Sequence, residues 1–338
     1  MLVLGIESSC DECAVAVVAD GQQVLSNQIA TQFELHAPFS GVVPEIASRR
    51  HTELILPVYK AAIAEAKIES SDIDLIAVTD RPGLSGSLLV GHTFAKGLAL
   101  SLGKPFIGVN HILAHLYAAQ LEHSIEYPYI GLLVSGGHTI ILRADSPLEM
   151  TVLGATIDDA IGEAFDKVAK HLGLGYPGGV AIDRLARQGD SAAFAFPGAA
   201  LSKGDHQFDI SYSGLKTAVI NQRMQFLQPG YEASMENIAA SFERRAVDML
   251  LRRVVLACRD QGIFRVVAAG GVAANTWFRQ SLREHREIQA VYPSLELCTD
   301  NAAMIAGLGY HVFRDRGRGD DFSSVVAARV PGFKRQYP

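Results

Sequence analysis

A strand–turn–strand pattern occurs twice in this sequence and constrains the fold more than any other feature. The apolar runs 2–6 and 14–18 flank a short polar turn, and the runs 130–134 and 140–142 flank another. Apolar runs of this length bounded by small polar residues are typical of buried strands. The same local plan returns after about 125 residues, which indicates a duplicated domain. The sequence therefore predicts an α/β protein made of two related lobes.

The length and composition of the chain support two lobes of ordinary globular type. A chain of 338 residues is too long for one ordinary hydrophobic core. We predict an N-terminal lobe at 1–124, joined by the C-terminal tail at 310–338, and a C-terminal lobe at 125–309. No apolar run is long enough to span a bilayer, and the first residues lack the basic region of a signal peptide. We therefore expect a cytoplasmic protein without a membrane span.

Other segments alternate between strand and helix patterns, as expected of an α/β fold. Further strands are predicted at 73–79, 107–109 and 265–269. Helices are predicted at 52–67, 158–172, 235–259 and 302–310. Residues 189–209 are polar and aperiodic, which predicts a loop.

Two histidines four residues apart are the strongest candidates for a metal site. Asn110 is suited to cap a helix beginning at His111, and the spacing to His115 then places both imidazoles on one helix face. Two neutral imidazoles so placed can share a divalent ion. Chance also produces such pairs in a chain with 11 histidines, and the glutamate that follows the first histidine of a zinc-protease helix is absent. Asp300 is a candidate third ligand, or else the N-cap of the helix from Ala302.

Three turns place glycines or small hydroxyl residues after apolar strands, at 5–12, 134–139 and 269–275. Glycine lets backbone N–H groups approach an anion, and a helix N-terminus adds its dipole. The turns favour a nucleotide held between two lobes, although glycine also serves tight turns alone. Asp166 and Asp183 are suited to ribose hydroxyls, or are solvated helix surface. The sequence has neither a P-loop lysine motif nor a Rossmann glycine fingerprint.

The cysteines and the net charge bear on other functions. Cys10 and Cys13 form a C-x-x-C, but no second such pair or thioredoxin context accompanies it, so we expect reduced thiols without a metal or redox role. The net charge of −6 argues against a uniformly cationic surface for nucleic acid but allows local basic patches.

Several ordered motifs make the chain similar to one family from Val3 to about Arg329. They are Glu7-Ser-Ser-Cys-Asp-Glu12, Gly41-Val-Val-Pro-Glu-Ile-Ala-Ser-Arg49, Pro82-Gly-Leu84, His111-x-x-x-His115, Leu133-Val-Ser-Gly-Gly-His-Thr139, Glu163-Ala-Phe-Asp-Lys167, Tyr176-Pro-Gly-Gly179, Ser213-Gly-Leu-Lys-Thr217, Ala269-Gly-Gly-Val-x-x-Asn275 and Cys298-Thr-Asp-Asn301. The chain resembles the TsaD (YgjD/Gcp) family of tRNA N6-adenosine threonylcarbamoyltransferases. The resemblance implies an α/β, actin/Hsp70-like (ASKHA) fold of two duplicated ribonuclease-H-like lobes with a cleft between them.

The resemblance also implies a metal, a substrate and a reaction. The metal, iron (Fe2+) or zinc, would be held by His111, His115 and Asp300. The threonylcarbamoyl group would pass from threonylcarbamoyl-adenylate to N6 of adenosine 37 in tRNAs reading codons that begin with A. Asp11 is the candidate base or orienting group, and His138 is a candidate contact to the phosphate or acyl group. The implied adenylate contacts are Leu133, Val134, Ser135, Gly136, Gly137, Asp166, Gly179, Asp183 and Asn275.

The implied partners are tRNA, the paralogue TsaB and the ATPase TsaE, with a TsaC-type enzyme making the adenylate. Whether the chain forms a homodimer is left open. The candidate cations for tRNA are Arg49, Arg50, Arg244, Arg245, Arg252, Arg253 and the tail 314–335, although most such arginines lie on solvated helix faces.

The sequence departs from the family pattern at a few positions. Members usually carry Thr where this chain has Ser8 and Cys13, and Gly where it has Ser40 and Arg81. Arg81 is the least conservative change and is expected to alter the rim of the cleft or the tRNA path. Because Cys13 replaces a usual Thr, the C-x-x-C is expected to be incidental.

Three other functions compete with the transferase. A small-molecule kinase of the same superfold would use ATP without a histidine-bound metal. A zinc glycoprotease would rest on His111 and His115. A non-enzymatic ATP-binding scaffold is the third alternative.

Overall fold

The computed structural model describes residues 1–39, 41–198, 206–222 and 234–330. These residues form two compact units, each with one five-stranded sheet. The first unit comprises Met1–Glu126, Asp145–Met150 and residues 293–330, and the second comprises Tyr127–Ala144 and Thr151–Tyr292.

Strands and helices alternate through most of the described residues. The strands are β1 (Leu2–Glu7), β2 (Glu12–Ala19), β3 (Gln23–Thr31), β4 (Leu75–Arg81), β5 (Phe106–Asn110), β6 (Tyr129–Val134), β7 (Thr139–Ala144), β8 (Met150–Ala155), β9 (Arg265–Ala269) and β10 (Gln289–Val291). The α-helices are α1 (Phe33–His36), α2 (Pro44–Ala66), α3 (Ser85–Leu102), α4 (His111–Tyr117), α5 (Ile161–His171), α6 (Gly178–Ala186), α7 (Ser213–Gln222), α8 (Met235–Gln261), α9 (Thr276–Glu284), α10 (Leu295–Cys298) and α11 (Ala302–Arg316).

The two sheets have the same strand order. The first runs β3-β2-β1-β4-β5 and the second runs β8-β7-β6-β9-β10. In each sheet the central strand pairs antiparallel with the next strand of its hairpin and parallel with a strand that arrives later. This equivalence confirms the duplication predicted from the two hairpins.

Alternate residues of the first sheet enter two different cores, because successive side chains of a strand point to opposite faces. On β1, Val3 packs in a core with α4 and α11, while Leu4 and Ile6 pack in a core with α2 and α3. Gly5 lies directly under α11, where an added Cβ would meet the Ala302 carbonyl oxygen at 2.1 Å. The absence of a side chain at Gly5 therefore lets the helix after Asp300 approach the sheet.

Several element boundaries differ from the sequence predictions. Helix α2 begins at Pro44, well before residue 52, because proline fits the first helical turn and the first two turns are polar rather than periodic. Helix α5 begins at Ile161 rather than 158, since the Asp158 carboxylate instead accepts a hydrogen bond from the Tyr212 N–H at 2.9 Å. Strand β3 was not predicted, because it is largely polar and half-exposed and carries no apolar run.

Residues 293–309, assigned by sequence to the C-terminal lobe, lie in the first compact unit. The reason is α11, whose residues Ala302–Leu308 are buried in the same core as Val3 and Leu75. The predicted lobe boundaries themselves stay a prediction, and residues 331–338 of the tail lie outside the described residues.

Candidate functional site

The two histidines are positioned by the start of helix α4. The Asn110 side chain accepts hydrogen bonds from the N–H groups of Ile112 and Leu113, at 2.9 and 3.3 Å, and so caps the helix as predicted. His111 and His115 then lie one turn apart, with ring centroids separated by 4.5 Å and ring planes nearly perpendicular. Both side chains are buried. Buried imidazoles side by side are unusual unless a charged group or an ion compensates them.

Asp300 supplies a carboxylate to this histidine pair. Its Oδ1 lies 3.0 Å from His115 Nε2 and 3.7 Å from His111 Nε2. Asn301, not Asp300, caps helix α11, because its side-chain oxygen accepts the Met304 N–H at 3.0 Å. The alternative role of Asp300 as an N-cap is therefore wrong.

Glu7 orients His111 from the opposite side. Its Oε2 lies 3.0 Å from His111 Nδ1, and its two oxygens also accept hydrogen bonds from the Thr79 hydroxyl and the Ser9 N–H, both at 2.5 Å. A carboxylate can only accept, so Nδ1 of His111 carries the hydrogen. In the neutral ring, Nε2 of His111 is consequently the nitrogen that keeps a lone pair, and it is the nitrogen nearest Asp300.

The electrostatics of this group follow from burial and charge. Burial lowers the pKa of His111, but the carboxylates of Glu7 and Asp300 outweigh it and raise the pKa to about 9. Burial and the neighbouring His111 lower the pKa of His115. Burial raises the pKa of Glu7, but the charge and hydrogen bond of His111 outweigh it, so the net shift is downward. The site without metal thus concentrates negative charge around one cationic ring.

The donor atoms of His111, His115 and Asp300 all lie within 4.8 Å of one another, so they can hold one metal ion. Two imidazole nitrogens and one carboxylate oxygen form a donor set that suits zinc or iron and leaves positions open. Glu7 fits the pattern of an outer carboxylate that fixes the tautomer of a ligating histidine. The residues present therefore fit a divalent ion. Glu7 was missed by the sequence analysis, although it begins the first family motif.

Asp11 and the cysteines lie in or beside the first hairpin turn. The Asp11 carbonyl oxygen accepts the Gln32 N–H at 3.1 Å. Cys10 and Cys13 are both free. Burial raises the pKa of the Cys13 thiol to about 12 and that of Cys10 well above its usual value. Neither thiol is therefore poised as a nucleophile at neutral pH.

The predicted phosphate turn of the second unit closes the β6–β7 hairpin. The Ser135 N–H donates to the His138 carbonyl oxygen at 2.8 Å, and the His138 N–H donates to Ser135 Oγ at 3.1 Å. Gly136 and Gly137 form the tip, and a Cβ on either would meet nothing within 4 Å. The turn therefore presents open backbone to a ligand. The Leu133 and Val134 side chains are fully buried, so these two residues offer only backbone atoms.

The predicted ribose carboxylates are engaged with backbone amides. Asp166 Oδ1 accepts the Gly178 N–H at 2.7 Å and thereby fixes the turn that contains Gly179. Burial raises the pKa of Asp166, and the hydrogen bonds from Gly178 and Gly179 oppose this shift. Asp183 accepts the Thr276 N–H at 3.1 Å, which brings it beside Asn275.

Asn275 lies at the start of α9, after the Gly270-Gly271 turn. Its side-chain oxygen accepts the Phe278 N–H at 2.8 Å, and its Nδ2 donates to Glu243 on α8 at 2.6 Å. A cavity of about 460 Å³ opens beside it, within the size of small-molecule sites. The cavity is lined by Ala274, Thr276, Arg279, Gln280, Arg283 and Glu284. Glu243 was not found by the sequence analysis, since a single glutamate on a long amphipathic helix carries no local signal.

The departures from the family pattern are accommodated locally. Ser8 is buried and donates its hydroxyl to the Ser87 carbonyl oxygen at 2.9 Å. Arg81 Nε donates to the neighbouring Asp80 at 2.9 Å. Cys13 is a core residue of the first unit. Ser40 lies outside the described residues.

Comparison with known proteins decides the family. The sequence model of the family "TsaD: tRNA N6-adenosine threonylcarbamoyltransferase" matches residues 23–307. Curated proteins of that name are 58% identical in Treponema denticola, over 336 residues and 99% of both chains, and 50% identical in Borrelia hermsii, over 99% of this chain and 98% of theirs. This chain belongs to the TsaD family. Membership of the TsaD family does not favour the alternative functions of small-molecule kinase, zinc glycoprotease or ATP-binding scaffold.

Solved structures support the predicted fold of this TsaD-family chain. Full-length HypF, in a phosphate- and nucleotide-bound form, aligns with a TM-score of 0.61 at 16% identity, over 93% of this chain and 55% of HypF. This likeness concerns the fold alone, and the actin/Hsp70-like α/β prediction is confirmed. Among the helices in the described ranges, none combines the length and apolar character needed to cross a membrane.

Proposed function

We propose that this chain transfers the threonylcarbamoyl group from threonylcarbamoyl-adenylate to N6 of adenosine 37 in tRNAs reading codons that begin with A. The observation that carries the proposal is 58% identity over nearly the full chain to a protein named for this transferase activity. The convergence of His111, His115 and Asp300 supports it independently, because Asp300 is far from the two histidines in sequence yet shares one site with them.

The second unit would bind the adenylate. The Gly136-Gly137 turn offers open backbone N–H groups to the phosphate, and the Gly179 turn held by Asp166 offers another close approach. Asp183 and Asn275 would contact the nucleoside. In this assignment Leu133, Val134 and Ser135 contribute through the backbone of the turn and the Ser135 hydroxyl.

His111, His115 and Asp300 would hold one divalent ion, iron (Fe2+) or zinc. When bound, such an ion supplies Lewis acidity that withdraws electron density from an acyl carbon. Glu7 would keep His111 in the tautomer that ligates.

The acyl transfer is one nucleophilic substitution at the carbamoyl carbon. The adenosine N6 lone pair forms a bond to the carbamoyl carbon, the bond from that carbon to the AMP oxygen breaks, and AMP leaves with the electron pair. Asp11 would accept the proton that N6 loses, and His138 would contact the phosphate or acyl group. N6 is a weak nucleophile because its lone pair is delocalised into the ring, so positioning contributes much of the rate.

The tRNA would have to present an unstacked adenosine to the site. Cationic side chains would bind the phosphate backbone of the tRNA. Several of the candidate cations already have acidic partners: Arg50 pairs with Glu53, Arg244 Nε lies 3.8 Å from Asp248, and Arg316 lies 2.9 Å from Asp320. Partners of the TsaB and TsaE type would therefore supply part of the surface that binds RNA. A TsaC-type enzyme would supply the adenylate.

The test supplies the purified chain with threonylcarbamoyl-adenylate, its partner proteins and unmodified tRNA, and measures the modified nucleoside by mass spectrometry. Wild type should form it, and His111→Ala should reduce the rate at least 100-fold, on the order seen when metal-site groups are lost. His123→Ala, which removes an exposed histidine of the same unit, is the matched control and should retain the rate. A normal rate in His111→Ala would contradict the assigned metal site.

A further inference from the structure

The carboxamide of Asn275 is held at both of its ends. Its oxygen caps α9 by accepting the Phe278 N–H at 2.8 Å, and its nitrogen donates to Glu243 Oε1 at 2.6 Å. A reversed carboxamide would set its NH2 group against the Phe278 N–H, donor against donor. The amide nitrogen carries two hydrogens, so the bond to Glu243 leaves the second N–H for a ligand. The two anchors together define the direction of that second N–H.

Glu243 is an energetically unfavourable residue at this buried position. Its side chain lies on α8 and is only 3% exposed. Burying a carboxyl group beside a neutral amide costs free energy, and an apolar side chain would fill the same space at lower cost. A carboxyl group at this position is therefore better explained by the hydrogen bond to Asn275 than by packing.

We propose that Glu243 is a positioning residue, which fixes the Asn275 carboxamide in the orientation that contacts the adenylate. The inference rests on the proposed transfer reaction and on Asn275 as a substrate contact. Glu243 itself touches no substrate in this scheme. It acts through Asn275, so its loss should weaken adenylate binding more than it slows the chemical step.

The charge environment of Glu243 makes this role dependent on pH. Burial raises its pKa to about 7, the Asn275 hydrogen bond opposes the shift, and the charges of Asp183 and Arg187 on and beside α6 raise and lower it, respectively. Ionised Glu243 is the stronger acceptor for the Asn275 N–H. Adenylate binding should therefore tighten as the pH rises from 6 to 8.

The experiment measures KM for threonylcarbamoyl-adenylate and kcat across pH 6 to 8 with the complete partner system. Glu243→Ala should raise KM about tenfold, as expected for losing one hydrogen bond to a charged group, with kcat changed less. Glu243→Gln retains a neutral acceptor oxygen and most of the shape, so its KM should match that of wild type at pH 6, and the pH step near 7 should disappear. Asp260→Asn, at an exposed position on the same helix, is the control for charge and should leave KM and the pH step unchanged.

The outcomes separate this inference from the proposed function. If wild type forms no modified nucleoside, the transfer reaction and the positioning role both fail. If wild type is active but Glu243→Ala keeps its KM, only the positioning role is overturned. If Glu243→Ala does not fold, Glu243→Gln decides, because an unchanged pH step relative to wild type overturns the role.

Discussion

Glu7 holds His111 by the ring nitrogen farther from Asp300. Three hydrogen-bonding groups surround its carboxylate: the His111 ring, the Thr79 hydroxyl and the Ser9 N–H. All lie in or beside the strand ends of the first sheet, so the carboxylate is fixed before any ion binds. Preorganisation of this kind is how an outer carboxylate raises the affinity of a ligating histidine.

Replacing Glu7 tests this function at the scale of one residue. Glu7→Gln keeps the shape but removes the charge, and its amide can turn an N–H toward His111. Zinc affinity, measured by calorimetric titration of the purified protein, should fall by about 10–100-fold. Glu45→Gln, at an exposed acidic position in the first turn of α2, should bind zinc as wild type does. Equal affinity in Glu7→Gln and wild type would refute the orienting function.

At the scale of elements, the metal site depends on how closely α11 approaches β1. Asp300 and Asn301 immediately precede α11, and Asn301 caps it. The Gly5 Cα faces this helix, with the Ala302 carbonyl oxygen 2.1 Å and the Ala306 nitrogen 2.8 Å from where a Cβ would be. Backbone atoms of a helix cannot move aside as a flexible side chain can. The position of Asp300 is therefore tied to the absence of a side chain on β1.

Gly5→Ala should destabilise the protein by about 1–3 kcal/mol, as overpacking does in other cores, and should also weaken zinc binding. Urea denaturation gives the stability and calorimetry gives the affinity. Gly97→Ala is the matched control, because Gly97 lies exposed on α3 with nothing within 4 Å of its would-be Cβ. That control should be neutral or stabilising by up to about 1 kcal/mol, since alanine favours helix. A Gly5→Ala protein as stable as wild type would show that α11 can shift.

At the scale of the whole molecule, buried carboxyl groups differ in the groups that accompany them. The first unit buries the pair of Glu7 and His111, in which each group favours the charged form of the other. The second unit buries Glu243, whose carboxyl accepts a hydrogen bond from the neutral Asn275 amide. The global stability should therefore respond to pH through Glu243.

The sign of that response follows from the raised pKa. The pKa of Glu243 is about 7 in the folded protein against a usual 4.5, so the folded state binds this proton more tightly than the unfolded state. Its contribution is fully present below the usual pKa and is lost as the pH rises through about 7. Between pH 5 and 8, wild type should lose stability relative to Glu243→Gln by on the order of 3 kcal/mol.

Calorimetric unfolding of wild type and Glu243→Gln at several pH values checks this. The comparison cancels the titration of other groups, because both proteins share them. A constant difference in Tm across this range would mean that Glu243 titrates normally in the folded chain.

Local sequence determined the two hairpins and the histidine pair of this protein. The two hairpins are visible because buried strands need apolar runs and their turns need small polar residues. The Asn110 cap and the one-turn spacing of His111 and His115 are also local, since helix geometry alone places them on one face. The motifs extended this knowledge to the family and the fold, and the comparisons confirmed both.

Only the tertiary structure decided which distant groups meet. Asp300 joins a histidine 185 positions earlier, Glu7 orients a histidine 104 positions later, and Glu243 binds an amide 32 positions on. Such contacts leave no periodic trace, because hydrogen bonds between elements depend on how helices and strands pack rather than on spacing along the chain. The half-exposed strand β3 could not be predicted for a related reason. Its pairing with β2, rather than an apolar pattern of its own, makes it a strand.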